Sequence, residues 1–399
     1  MEVDNGATEG SVLKSLDDAN DVPEKTTTLS EIALLFLTLG FTSFGGPAAH
    51  IAMMHDQVVV RRKWLTDAEF VDLIGATNLI PGPNSTELAI HIGHLRAGWR
   101  GLLVAGVCFI LPAVVIVLAL AALYVAYGTT PQGGAIMYGI KPVIIAVVLR
   151  ALIKLVPGAL KSPLFWVIAG AALALFLLGV NELVVLFGGA AAMLAIHAIR
   201  KTPLLFGAAL PQIAVTALIT QPSESIALSL WRLFLVFFKA GALLYGSGYV
   251  LLAFLRNDLV VHLGWLTDQQ LLDAIAIGQF TPGPVFTTAT FIGYLLAGIP
   301  GALIATIGIF LPSFLFVGLL TRIMPYLRQS QWSAAFLDGV NATSLALMAG
   351  VTLTLGMAAF VDWQTLLIGA VAALLLFRFG MNSAWLILAG ACLGWFIGQ

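Results

Sequence analysis

Charge is what this chain has least of. Of 399 residues, 10% are Asp, Glu, Lys or Arg, well under half of the roughly 25% found in a soluble domain. Hydrophobic residues make up 60%, and the mean hydropathy is +0.99. A soluble fold this apolar would have no polar surface to show to water. The net charge of −1 comes with no basic tail, which argues against nucleic acid as a partner. Cysteine is nearly absent. Cys108 and Cys392 each sit in an apolar run, so neither a disulfide framework nor metal-ligand spacing is present. No Walker-type phosphate loop occurs, so ATP hydrolysis is not expected. Paired catalytic acids and a nucleophile–base constellation are also missing, which leaves an enzyme role without support. His91 and His94 stand three apart with no further ligand nearby; neither a metal site nor a cofactor is expected.

What is present is a duplication. Trp64-Leu65-Thr66-Asp67 recurs as Trp265-Leu266-Thr267-Asp268, and Pro81-Gly82-Pro83 as Pro282-Gly283-Pro284. In the same frame Gly40, Gly45, Asp72 and Asn78 meet Gly241, Gly246, Asp273 and Gln279. After one single-residue slip, Gly93, Ala97, Gly98, Gly101 and Leu111-Pro112 meet Gly293, Ala297, Gly298, Gly301 and Leu311-Pro312. Ordered matches of this kind mark an internal repeat. The expected division is a polar flexible tail at 1–28, a first repeat at 29–201, a linker at 202–224 and a second repeat at 225–399. The tail carries Asp17, Asp18, Asp21, Glu24 and Lys25 and no apolar stretch, which is unlike a cleavable signal peptide.

A membrane span needs about 20 apolar residues. Four candidates lie in the first half, at 102–127, 135–156, 163–180 and 183–199. Their repeats are at 302–320, 333–360, 365–377 and 384–397. An unpaired span at 204–220 separates the halves. Each half opens on an apolar run broken at glycine: Gly45-Gly46-Pro47 in one, Gly246-Ser247-Gly248 in the other. Whether these runs are hairpins or single kinked helices stays open. Two short arms follow, hinged on Pro-Gly-Pro, at 67–80 with 84–95 and at 268–280 with 285–296. Arms of about 18 Å reach mid-bilayer and return.

Basic residues collect in cytoplasmic loops. Arg61, Arg62, Lys63, Arg96 and Arg100 border the first arms, while only Arg256 borders the second. The loop at 128–134 has no basic residue, whereas 321–330 has Arg322 and Arg328. The bias reverses between the halves. The expected fold is therefore an all-α polytopic membrane protein of two inverted-topology repeats with Pro-Gly-Pro broken-helix hairpins. Inverted repeats with discontinuous helices are typical of secondary transporters. The bias also places the tail in the cytoplasm.

Broken helices at membrane depth survive only inside protein or beside water. A helix start there offers free N–H groups and partial positive charge, which suits an anion. The candidate binding set is Gly45, Gly46, Pro81, Gly82, Pro83, Asn84, Ser85 and Thr86 in the first half. In the second it is Gly246, Gln279, Pro282, Gly283, Pro284, Thr287 and Thr288. Lys141 and Lys239 are buried-depth cations suited to offset a dianion, with snorkelling as the plain alternative. Glu87, Asp72 and Asp273 are the candidate proton carriers; holding the hairpins is the alternative for the two aspartates.

The chain resembles the chromate ion transporter family in its long, two-domain form. Phe44-Gly45-Gly46-Pro47, Pro81-Gly82-Pro83-Asn84-Ser85-Thr86 and Arg96-Ala97-Gly98 carry the likeness in the first half. Gly246-Ser247-Gly248, Thr281-Pro282-Gly283-Pro284 and Phe310-Leu311-Pro312-Ser313 carry it in the second. The resemblance implies an inner-membrane exporter of chromate that confers chromate resistance, with sulfate as a competing tetrahedral dianion. The residues themselves reach only a small-anion transporter. Sulfate uptake and an anion channel are the rival transport readings. The partners expected are a small inorganic anion, the lipid bilayer and, as one assembly state, a second copy in a homodimer.

Overall fold

The computed structural model describes residues 27–44, 46–128, 130–201, 228–244, 251–320 and 330–397. Gly45, Gly246 and its two successors, the span expected at 204–220, most of the tail, and the loop with Arg322 and Arg328 lie outside them. Among the described residues every regular element is helical.

The first half runs α1 (Leu29–Thr42), α2 (Pro47–His55, continued by a π-helical turn Asp56–Arg61), α3 (Asp67–Thr77), α4 (Asn84–Tyr127), α5 (Pro131–Ala159), α6 (Pro163–Leu177) and α7 (Glu182–Lys201). The second runs α8 (Leu230–Leu243), α9 (Leu251–Leu255, continued by the π-helical turn Arg256–His262), α10 (Asp268–Phe280), α11 (Thr288–Leu320, after a 3-10 turn Val285–Thr287), α12 (Gln331–Ala359), α13 (Trp363–Arg378) and α14 (Ser383–Ile397). Each element of one half has its counterpart seven helices on.

The repeat persists in fine detail. Thr66 caps α3 in a capping box with Glu69, and Thr267 caps α10 in one with Gln270. The turn before each is held alike, by Trp64 N–H to Val58 O at 2.7 Å and Trp265 N–H to Leu259 O at 2.8 Å. The contact His55–Asp67 at 2.7 Å recurs as the ion pair Arg256–Asp268 at 2.8 Å.

α4 is two limbs, not one rod. Ala97 and Gly98 leave helical geometry, with Gly98 at φ 58°; Ala297 and Gly298 do the same in α11, with Gly298 at φ 61°. Only glycine takes that conformation at little cost. Beyond the turn the limbs lie backbone to backbone. A Cβ on Gly93 would run into the Gly101 carbonyl, and one on Gly101 into that of Gly93. The chain therefore reverses: the limb at 84–96 is a re-entrant arm, and the limb at 99–127 is a full span.

The opening run of the first half is likewise a hairpin. Arg96 donates to Thr27 Oγ1 at 2.9 Å and to Trp64 O at 3.3 Å. The start of α1, the end of the turn after α2 and the end of the first limb of α4 thus share one membrane face. A single kinked helix would set Thr27 and Trp64 tens of ångströms apart. This face carries Arg61, Arg62, Arg96 and Arg100 and is called the basic face below.

Two bodies result. In the hairpin body, α1 lies on α4 and α8 on α11, and the two long helices meet. The close contacts are made at Gly40 against Phe109 and Pro112, and at Gly241 against Ile309. The second body interleaves the halves. α5 packs on α13 and α14, and α12 on α6 and α7. Small residues permit that approach: Gly139 faces Gly390 and Gly394, and Gly339 faces Gly189.

Among the described residues five helices are long and apolar enough to cross a membrane, Asn84–Tyr127, Pro131–Ala159, Glu182–Ile199, Val285–Leu319 and Gln331–Ala359. α6, α13 and α14, expected as spans, have 15, 16 and 15 residues. At 1.5 Å per residue they fall short of a hydrocarbon core of about 30 Å.

Candidate functional site

The hairpin tips of the two halves meet crosswise. Gly82 N–H, in the first Pro-Gly-Pro, donates to Leu244 O at 2.6 Å, where α8 of the other half ends. Gly283 N–H, in the second, donates to Ser43 O at 2.9 Å, where α1 ends. Ser43 and Leu244 are themselves repeat partners, 201 residues apart. Four chain breaks thereby meet at one centre and satisfy one another's freed backbone groups. Gly82 has φ 140° and Gly283 φ 92°. Around Gly82 a Cβ would meet the Glu87 carboxyl and the Ser313 hydroxyl; around Gly283 it would meet Ala113.

The two tips differ chemically. In the first, Asn84, Ser85, Thr86 and Glu87 open the first limb of α4, and no side chain caps that helix start. Asn84 Nδ2 donates to Asn78 Oδ1 at 2.6 Å. Glu87 is fully buried, and its Oε1 accepts from Ser313 Oγ at 3.4 Å. Ser43 Oγ, Asn84 Oδ1, Thr86 Oγ1 and Glu87 Oε2 are buried without a hydrogen-bond partner among the described residues. Unmet polar atoms cost about 1–3 kcal/mol each, and four around one helix start mark a place built for something polar.

His50 joins this cluster from α2. It is buried against Phe109, edge to face at 5.7 Å. Its Nε2 lies 3.1 Å from Ser43 O and its Nδ1 3.2 Å from Ser85 Oγ. A carbonyl only accepts, so the proton sits on Nε2 and Nδ1 accepts from the Ser85 hydroxyl.

The second tip is self-satisfied. Thr287 Oγ1 donates to Pro284 O at 2.9 Å, and Thr288 Oγ1 to Val285 O at 2.8 Å. Both threonines spend their protons on their own turn. Val285 and Phe286 are buried where the first tip has Ser85 and Thr86. Pro81, Pro83, Pro282 and Pro284 flank the glycines and supply no donor. Gly46, at φ 80°, starts α2 beside the first tip. Gln279 is half-buried in the last turn of α10.

The lysines lie elsewhere and are paired. Lys141 Nζ is 3.1 Å from Asp273 Oδ1 and donates to Gln269 Oε1 at 2.6 Å. Tyr124 donates to the other Asp273 oxygen at 2.7 Å. This cluster ties α10 to α5 and to the far end of α4. Lys239 pairs with Asp258 at 2.6 Å, beside the buried Glu182, which accepts from Asn257. Their counterparts 201 residues back are Thr38 and Gln57. There the first half keeps an open cavity of about 420 Å³, lined also by Thr42, Asp56, Arg61 and Arg62. Asp72 is exposed on α3, whereas its counterpart Asp273 is buried.

Sequence reasoning missed Ser43 and His50 altogether and quoted Ser313 only within a motif. His50 carries no signal along the chain, since its repeat partner is Leu251. Comparing the halves for polar residues that face apolar ones would have raised it.

The profile of the family described as Chromate transporter matches residues 30–194 and again 231–395. A relative named chromate transport protein in Cupriavidus metallidurans is 33% identical over 375 residues, 92% of each chain. One named probable chromate transport protein in Synechococcus elongatus is 32% identical, over 88% of this chain and 91% of its own. One named chromate transport protein in Pseudomonas aeruginosa is 30% identical over 96% of each. No solved structure matches.

Proposed function

The chain belongs to the chromate transporter family, and from that premise we propose that it exports chromate across the inner membrane and so confers chromate resistance. The anion binds at the converging tips, chiefly at the start of α4, and is handed across by alternating access. The observation that carries this reading is the set of unmet polar atoms at Ser43, Asn84, Thr86 and Glu87, gathered where broken helices from both halves meet. A helix start adds partial positive charge. Glu87 faces the same helix start, its Oε1 held by Ser313. Sulfate, of the same shape and charge, competes.

The basic face is the cytoplasmic one, and the tail starts there. The cavity beside Arg61 and Arg62 is the approach from that side. On the first hairpin, Val71 is 63% exposed; its counterpart Leu272 on α10 is 1% exposed, packed among α5, α12 and α14 and locked by Lys141–Asp273. One hairpin free and its twin clamped is the asymmetry expected of a state open to the cytoplasm. Exchange of the two arrangements gives the outward-open state. The expected division into tail, repeat, linker and inverted repeat stands as part of this proposal.

Export of one dianion down a 100 mV inside-negative potential releases about 4.6 kcal/mol, twice the roughly 2.3 per charge. Everted vesicles expose the cytoplasmic face. Chromate should load them saturably, faster with an interior-positive potential, and excess sulfate should block it. Faster loading of right-side-out vesicles would point instead to uptake.

A further inference from the structure

Among the described residues the proposed site contains no fixed positive charge. Both intramembrane lysines of the hairpin body and its edge are spent on acids, Lys141 on Asp273 and Lys239 on Asp258. A dianion placed among hydroxyls and one helix start is still a buried, largely uncompensated charge, which is costly. Among the described residues at the tips one group can become a cation, and that is His50.

We propose that His50 is the protonatable counter-charge of the anion site, and that its proton controls the Ser85 hydroxyl. With the site empty the ring is neutral. Its Nε2–H is held by Ser43 O, and Nδ1 takes the Ser85 proton. In that state Ser85 has no proton to offer an anion. A proton arriving on Nδ1 turns this hydrogen bond round: Nδ1–H donates to Ser85 Oγ, and the Ser85 O–H is released toward the neighbouring Asn84 and Thr86. The same event thus supplies a positive charge and one more donor. The Nε2–H bond to Ser43 O is unchanged, so the ring need not move. Ser43 O also accepts from Gly283 N–H, which keeps the ring registered to the junction of the two halves. Nothing is oxidised or reduced; one proton is taken from solution and returned when the anion leaves.

The other titratable or charged groups on the elements packed around His50 are Glu31 at the far end of α1, Glu87, His91, His94, Arg96, Arg100, Cys108, Tyr124 and Tyr127 along α4, and His55, Asp56 and Arg61 further along its own segment. Glu87 alone shares the tip. Its own share of any proton linkage is read by Glu87→Gln. α11 brings Ser313 there and no titratable group. The second half repeats none of this, having Leu251, Val285 and Thr287 in place of His50, Ser85 and Glu87.

This inference rests on the anion reading above and is tested apart from it. Chromate binding to the purified protein in nanodiscs is measured from mildly acid to mildly alkaline buffer. Affinity is expressed against the dianion concentration, so that the anion's own protonation drops out. Proton uptake linked to binding makes the wild-type affinity rise as pH falls, at most about tenfold per pH unit. His50→Gln, whose amide can still donate to Ser43 O, should bind weakly and flatten the profile. Ser85→Ala should bind more weakly than wild type at every pH. Glu87→Gln should keep the slope. A slope that survives His50→Gln, a slope lost only in Glu87→Gln, or a flat wild-type profile overturns the inference and leaves anion binding standing. Absence of wild-type binding overturns both.

Discussion

At the scale of single residues, Lys141 and Asp273 show what the sequence exposes and what it hides. Both stand out in an apolar chain, because charge at membrane depth is expensive and therefore purposeful. Their pairing does not show, since 132 residues separate them (273 − 141). Reading each alone left Lys141 between a dianion and an interface, and Asp273 between a proton and a tie that holds the hairpin; the structure sets them 3.1 Å apart. Thr287 and Thr288 carry a similar lesson: hydroxyls at a helix start look like anion donors until their protons are found on Pro284 O and Val285 O. The pair makes a prediction. Removing one partner of a buried pair costs about 3–5 kcal/mol, so Lys141→Met should sharply lower the thermal stability of the purified protein. Lys141→Met with Asp273→Asn should recover much of that loss. A double variant no more stable than the single one would contradict the pairing.

At the scale of elements, the hinges were legible and the bodies were not. Pro-Gly-Pro and Ala-Gly stand at corresponding places in both halves because the chain must break or reverse there, and few residues permit it. The opening hairpin was ambiguous in sequence, since a glycine break is compatible with a kink. Arg96 resolves it by holding Thr27 and Trp64 together. The interleaving of α5 and α12 with the opposite halves was not legible, because contact between distant helices leaves no periodic trace. α6 looked like a span because its apolar run, 163–180, outlasts the helix; the runs at 365–377 and 384–397 lie inside α13 and α14 and qualified only as repeats of first-half candidates. At the α4 turn two glycines differ in kind. Gly98 has φ 58° and open space around it, whereas Gly101 faces the Gly93 backbone. Gly98→Ala should cost about 1–3 kcal/mol, the strain of a side chain at φ 58° and ψ −146°, a region nearly reserved for glycine. Gly101→Ala should cost more, because two backbones must separate. Thermal unfolding of the two variants in one detergent checks the order; an equal or reversed order contradicts the close approach.

At the scale of the whole molecule, the repeat told the most. Ordered offsets gave two units, which the family profile also matches, and the reversal of basic residues is the ground for expecting them in opposite orientation. Their relationship to each other needed the structure. The tips bond crosswise, each Pro-Gly-Pro to the other half's opening break, and the symmetry of the backbone is not kept by the side chains. Polar and titratable groups collect at the first tip, while ion pairs close the second half. That division is the one the proposed carrier, with one anion site and two gates, requires. The most direct test is chromate loading of everted vesicles by wild type, Asn84→Ala and Thr86→Val at matched protein levels. The account predicts saturable wild-type loading and at least a roughly tenfold loss in both variants, the size of one good hydrogen bond to a charged group. Undiminished loading by both variants would contradict a site at the start of α4.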